Sequence, residues 1–129
     1  MKIHHIGYLV KKIDKAISAF QQLGYSLVTE KTYDSIRKIN ICFMLKDGYL
    51  IELVSPASDD SVVSGLIRQY RNAPYHFCYC STDFDAALSA LSANGYVCID
   101  EPCPAPALAG KRVVFLMNPS IGLIELLEE

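Results

Sequence analysis

The chain has 129 residues, 51% of them hydrophobic and 20% charged, a balance that fits one globular domain with a real core and excludes a disordered chain. Twelve Lys and Arg against 14 Asp and Glu leave a net charge of −2, so no basic excess exists to hold a phosphate backbone and nucleic-acid binding is not expected. Apolar runs reach about five residues, as in Val113 to Met117, far short of the roughly 20 that a membrane helix needs. The start MKIHHIG carries no signal-type apolar region. Five cysteines, an odd number without a C-x-x-C pair, point to reduced thiols, and a cytoplasmic protein is the expectation.

The elements follow in chain order. Residues 3–10 alternate as a strand does. Ile13, Ala16, Ile17, Phe20 and Leu23 recur at helical spacing, and Gly24 is placed to close that helix as its C′ residue. Leu27 to Glu30, Ile39 to Leu45 and Tyr49 to Val54 read as three strands, the last two joined by the hairpin signal Lys46-Asp47-Gly48. Ser61 to Tyr70 carries Val62, Leu66, Ile67 and Tyr70 at rough helical spacing and reads as a linker helix. A strand over 75–81, a helix over 84–94 with Gly95 behind it, and strands near 96–99, 111–117 and 122–127 complete the chain. Thr82 with Asp85 three residues on has the form of a capping box.

The second half echoes the first. Shifted by 71 residues, His4 to Tyr25 falls on Tyr75 to Tyr96 with eight of 22 positions identical, among them His5/His76, Tyr8/Tyr79 and Gly24-Tyr25/Gly95-Tyr96. Tyr49 to Pro56 then resembles Gly122 to Glu129 at an offset of 73. The expected architecture is α+β: one domain over residues 1–129, made of βαβββ modules 1–56 and 75–129 joined by a linker helix near 61–70.

The repeat singles out four polar residues. His5 and His76 stand on the first strand of each module, Glu52 and Glu125 on the last. Each Glu sits between apolar neighbours, in Ile51-Glu52-Leu53 and Ile124-Glu125-Leu126, where a carboxylate is costly to bury unless it is paired, protonated or bound to a metal. Two imidazoles and two carboxylates in matched positions make a site for one divalent cation such as Zn, Ni, Co or Mn. The competing reading is two satisfied core histidines with two solvent-facing glutamates. His4 alternates away from His5 and reads as structural or exposed. Cys78 and Cys80 share the His76 face and read as small buried hydrophobes.

The ordered set HHIGYLV, YLIELVSP, YHFCY and GLIELLE resembles the four strand motifs of the vicinal oxygen chelate superfamily (glyoxalase, bleomycin resistance, dioxygenase). That resemblance implies paired βαβββ modules curling into a half-barrel around one metal, with His5, Glu52, His76 and Glu125 as ligands. It implies an enzyme of the glyoxalase I (lactoylglutathione lyase) or methylmalonyl-CoA epimerase type, which takes a proton from beside a carbonyl through a metal-bound enediolate. Residues 101–119 and Asp60 to Tyr70 resemble the loop and linker of the epimerase branch. Glu125 is then the expected base, with Glu52 as the other carboxylate. Arg37, Lys111 and Arg112 are candidates for contacts to a small-molecule thioester or hemithioacetal substrate, and repeated edge strands favour a homodimer. A metal-free antibiotic-binding protein of the bleomycin-resistance type shares the fold and is the alternative.

Overall fold

Alternation and helical periodicity each find their element. The computed structural model covers Met1–Glu129 and has strand β1 (Lys2–Leu9), helix α1 (Ile13–Gln22), strands β2 (Ser26–Leu27), β3 (Thr32–Asp34), β4 (Ile39–Lys46) and β5 (Tyr49–Pro56), and helix α2 (Ser64–Tyr70). The second half follows with β6 (Ala73–Ser81), α3 (Phe84–Ala93), β7 (Val97–Cys98), β8 (Cys103–Ala105), a 3-10 turn (Pro106–Leu108), β9 (Lys111–Asn118) and β10 (Gly122–Glu128). The two βαβββ modules are both present, each with one short additional strand, β3 and β8, laid on its hairpin.

The backbone divides into two compact units, Ile6–Tyr75 and Met1–His5 with His76–Glu129. In the unit Ile6–Tyr75 the strand order is β2-β4-β5-β1, with β1 parallel to β5 and the rest antiparallel. The β4–β5 hairpin closes on Asp47 and Gly48, both at positive φ (52° and 81°); a two-residue loop with that backbone matches the twist of its strands. In the other unit the order is β6-β10-β9-β7, with β10 parallel to β6 and antiparallel to β9.

Equivalent positions build equivalent cores. In the first module Ile13, Cys42, Met44, Ile51 and Leu53 are buried, with Tyr8, Ala16, Ile17, Phe20 and Tyr25 packed against them. In the second, Phe84, Val114, Leu116, Ile124 and Leu126 are buried beneath Tyr79, Ala87, Leu88, Leu91 and Tyr96. The matched pairs stand 71 to 73 residues apart, so the repeat is a repeat of packing as well as of sequence. The helix ends match too. Tyr25 N–H donates to the Phe20 carbonyl and Gly24 N–H to that of Gln21; Tyr96 and Gly95 do the same to Leu91 and Ser92. Both are Schellman closures with glycine at positive φ (96° and 88°).

The capping box on α3 is corrected. Its N-cap is Asp83, whose carboxylate accepts the Ala86 N–H at 3.1 Å. Asp85 instead pairs with Arg112. An Asp one position nearer the helix satisfies the free N–H without help from Thr82.

Candidate metal centre

On β10 the parity of the strand assigns each side chain. Ile124 and Leu126 turn toward α3 and its core. Glu125 takes the other face, paired across the ladder with Phe115 of β9 and Cys78 of β6. That face is closed as well: Cys78, Cys80, Val113 and Leu127 form a second buried cluster on it. Glu125 is 4% exposed, His5 1% and His76 3%. Three ionisable groups therefore sit away from water within one unit.

They also converge. The Nε2 atoms of His5 and His76 lie 3.3 Å apart. One Glu125 oxygen, Oε1, is 3.8 Å from His5 Nε2, and the other, Oε2, is 3.9 Å from His76 Nε2. The carboxylate separations exceed a hydrogen bond, and charge-assisted bonds run nearer 2.7–2.9 Å. Ligand atoms held about 2.0–2.2 Å from a common ion stand roughly 3.0–3.5 Å from one another, so two nitrogens at 3.3 Å with a carboxylate just beyond are spaced for one small cation. The donor set, borderline nitrogen with hard oxygen, is of the kind that takes Zn, Ni, Co or Mn. Phe115 stands edge-on to His76 with ring centroids 5.1 Å apart, an apolar neighbour of the site.

Glu52 occupies the corresponding place on β5. It is 5% exposed, lies opposite Gly7 on β1 and Phe43 on β4, and faces away from the Ile51 and Leu53 side chains in the core. Solvent-facing glutamates on one-sided strands are therefore not what the chain has: both carboxylates are buried.

His4 makes a contact that strand alternation does not anticipate. Its Nδ1 lies 2.8 Å from His5 Nδ1, so it is in hydrogen-bond contact with a candidate ligand. The signal in the sequence is the His-His doublet itself, which alternation assigns to opposite faces. Phe115 carried no signal beyond its place on an apolar strand.

The basic candidates differ in their partners. Arg37 is drawn to Asp34, whose buried carboxylate accepts from Arg37 Nη1 at 2.8 Å and from the backbone N–H groups of Ile36 and Arg37. Arg112 reaches Glu128 and Asp85 and lies over the Phe84 ring at 4.5 Å. Its hydrogen bonds to Glu128 and Asp85 raise its pKa above the ordinary guanidinium value, and the same contact to Arg112 lowers that of Glu128. Lys111 is exposed and lines a cavity of about 440 Å³ with His4, Cys80, Leu108, Leu127 and Glu129. No helix is long and apolar enough to cross a membrane.

Comparison with known proteins bears on this arrangement. A family model described as Glyoxalase/Bleomycin resistance protein/Dioxygenase superfamily matches residues 3–115. An uncharacterized protein of Bacillus subtilis, YqjC, is 26% identical over 130 residues, spanning 98% of this chain and 91% of that one. Methylmalonyl-CoA epimerase from Mycobacterium tuberculosis superposes with a TM-score of 0.84 at 24% identity, covering 98% of this chain and 87% of the other. The Streptomyces coelicolor methylmalonyl-CoA epimerase, solved in complex with 2-nitronate-propionyl-CoA, gives 0.83 at 19% identity over 100% and 97%.

Proposed function

We propose, from the premise that this chain belongs to the glyoxalase/bleomycin resistance protein/dioxygenase superfamily, that it is a metal-dependent lyase or isomerase acting beside a carbonyl, of the methylmalonyl-CoA epimerase or glyoxalase I type. The observation that carries this reading is the buried meeting of His5 Nε2, His76 Nε2 and the two Glu125 oxygens within 4 Å. A metal-free binding module has no need to bury two imidazoles and a carboxylate together, and does so at a cost. The likeness to epimerases supports the fold, and the loop and linker motifs lean the same way.

The proposed ligands are His5, Glu52, His76 and Glu125, with Glu52 entering through its repeat equivalence to Glu125 and its burial. A cation bound there supplies Lewis-acid polarisation of a substrate carbonyl. The chain's own residues do the rest. Glu125, once detached from the ion, would take the proton from the adjacent carbon in a buried site. Return of a proton to the neighbouring carbon gives isomerisation; return to the opposite face gives epimerisation, with Glu52 as the second carboxylate. Phe115 packs edge-on against the His76 ring. The substrate is a small thioester or hemithioacetal. Of the three basic candidates for its anionic groups, Lys111 is the exposed one, while Arg37 and Arg112 already hold carboxylates. The same reading makes the protein a cytoplasmic homodimer.

The test is solvent-deuterium incorporation into methylmalonyl-CoA, run beside conversion of the methylglyoxal–glutathione hemithioacetal, with Zn-, Ni-, Co- and Mn-loaded protein. The account predicts turnover of one substrate that disappears on chelation and in Glu125→Gln, while that variant keeps most of its metal. Full activity in Glu125→Gln would remove Glu125 from the role given to it. Full activity in chelated protein would remove the metal.

A further inference from the structure

The reading above leaves His4 without a task, yet its Nδ1 stands 2.8 Å from the Nδ1 of His5. A neutral imidazole carries one N–H and one lone pair, so a contact between two Nδ1 atoms needs one ring to donate and the other to accept. The other nitrogen of His5 decides which. Nε2 faces His76 Nε2 and Glu125, the donor set of the candidate metal centre. To present a lone pair there, His5 must carry its proton on Nδ1, and His4 Nδ1 is then the acceptor of that proton.

We infer that His4 is a positioning residue, which holds His5 in the Nδ1–H tautomer and so keeps its Nε2 lone pair aimed into the metal centre. This inference rests on the reading of His5 as a ligand. Without His4 the Nδ1–H loses that acceptor, and the tautomer with the proton on Nε2, which blocks coordination, gains population. Outer partners that fix a ligand's tautomer commonly change metal affinity about 10- to 100-fold when removed.

Packing alone does not require a histidine at this place. The equivalent position in the second module is Tyr75, so the fold builds the same strand with another side chain. His4 is half-buried and borders the 440 Å³ cavity rather than the closed core. The ring centroids of His4 and His5 are 5.1 Å apart at an interplanar angle of 79°. That edge-on arrangement aims a ring edge at its neighbour, as a nitrogen-to-nitrogen hydrogen bond requires.

The experiment compares wild type, His4→Phe and His4→Asn, the last of which keeps a side-chain oxygen acceptor at about the reach of Nδ1. Two quantities are read: the Zn²⁺ dissociation constant by chelator competition, and the His5 tautomer by ¹⁵N imidazole shifts of chelated protein at pH 8. The expected result is an Nδ1–H His5 in wild type and His4→Asn, with an Nε2–H or mixed ring in His4→Phe. Zn²⁺ binding should weaken at least 10-fold in His4→Phe and stay within about 3-fold of wild type in His4→Asn. An unchanged His5 tautomer in His4→Phe overturns the inference, as does unchanged affinity. If wild type binds no Zn²⁺, Ni²⁺, Co²⁺ or Mn²⁺, the metal reading falls with the inference's purpose, while the tautomer comparison still decides whether His4 governs His5. His4→Asn guards against a folding artefact, since equal loss in both variants with an unchanged tautomer assigns His4 a packing role only.

Discussion

Replacing Glu125 with Leu separates what the carboxylate does for stability from what it does for binding. The side chain is 4% exposed, pinned on β10 between Phe115 and Cys78 on its neighbours. Leucine fills nearly the same volume without a charge, and its side chain cannot ligate a cation. Well-packed apolar residues in place of a buried ion pair or triad are often neutral or stabilise a protein by about 1–4 kcal/mol, and the 3.8–3.9 Å gaps from Glu125 to the imidazole nitrogens put this site in that class. For 129 residues an unfolding entropy of roughly 2.1 cal/mol/K per residue gives ~0.27 kcal/mol/K. The chelated variant is therefore expected to melt about 4–15 °C above chelated wild type. Metal reverses the order of gains. At a free concentration of 100 Kd a ligand adds about 2.7 kcal/mol, near 10 °C on the same scale, and only wild type should receive it. Differential scanning calorimetry of both proteins, with chelator and with Zn²⁺, measures all four values. A chelated Glu125→Leu that melts below wild type would refute the reasoning, because Glu125 would then be a satisfied structural group rather than one held in place for a cation.

Three further outcomes follow from the geometry. Leu126, fully buried among Phe84, Val114, Leu116 and Ile124, should cost about 3–5 kcal/mol as Leu126→Ala, read from the urea midpoint; a loss under 1 kcal/mol would mean that core is not packed as described. Gly48 has φ +81° and nothing within 4 Å of an added Cβ, so Gly48→Ala should cost only the left-handed conformation, about 1 kcal/mol, and Gly48→Asn less; a larger loss would point to a clash. Burial pushes the Cys42 thiol up to about 11, and Cys78 and Cys80 are buried while Cys98 is exposed. A thiol reagent at pH 8 should thus label Cys98 first and leave Cys42 until the chain unfolds, as mass spectrometry of the labelled peptides will report.

The parts legible in the sequence were those that repetition or period enforces. Helices α1 and α3 and strands β1, β4, β5, β6, β9 and β10 each carry several residues of one period, and the core uses the same positions in both modules. β3 and β8 are three residues long, too short for alternation to register, and Pro104 in β8 argued against a strand. Their pairing partners, β4 and β9, supply what local sequence does not. The site divides in the same way. The repeat marks His5, Glu52, His76 and Glu125, all four of them buried. It does not mark His4 or Phe115: the His4 contact depends on which ring atoms of two neighbouring residues meet, and that of Phe115 with His76 on register across β9, β10 and β6. Arg37 shows the converse: a basic residue read as a substrate contact is held by Asp34, three residues earlier, in a turn that the sequence writes as Asp34-Ser35-Ile36-Arg37.

The central claim is the proposed metal centre of His5, Glu52, His76 and Glu125. It is tested most directly by metal content: purified protein is stripped with chelator, reloaded with Zn²⁺, Ni²⁺, Co²⁺ or Mn²⁺ in turn, freed of excess ion, and assayed beside His76→Ala. The account predicts about one tightly held ion per chain in the wild type, lost in the variant. Wild type that retains none of the four ions, or His76→Ala that retains them equally, would contradict it.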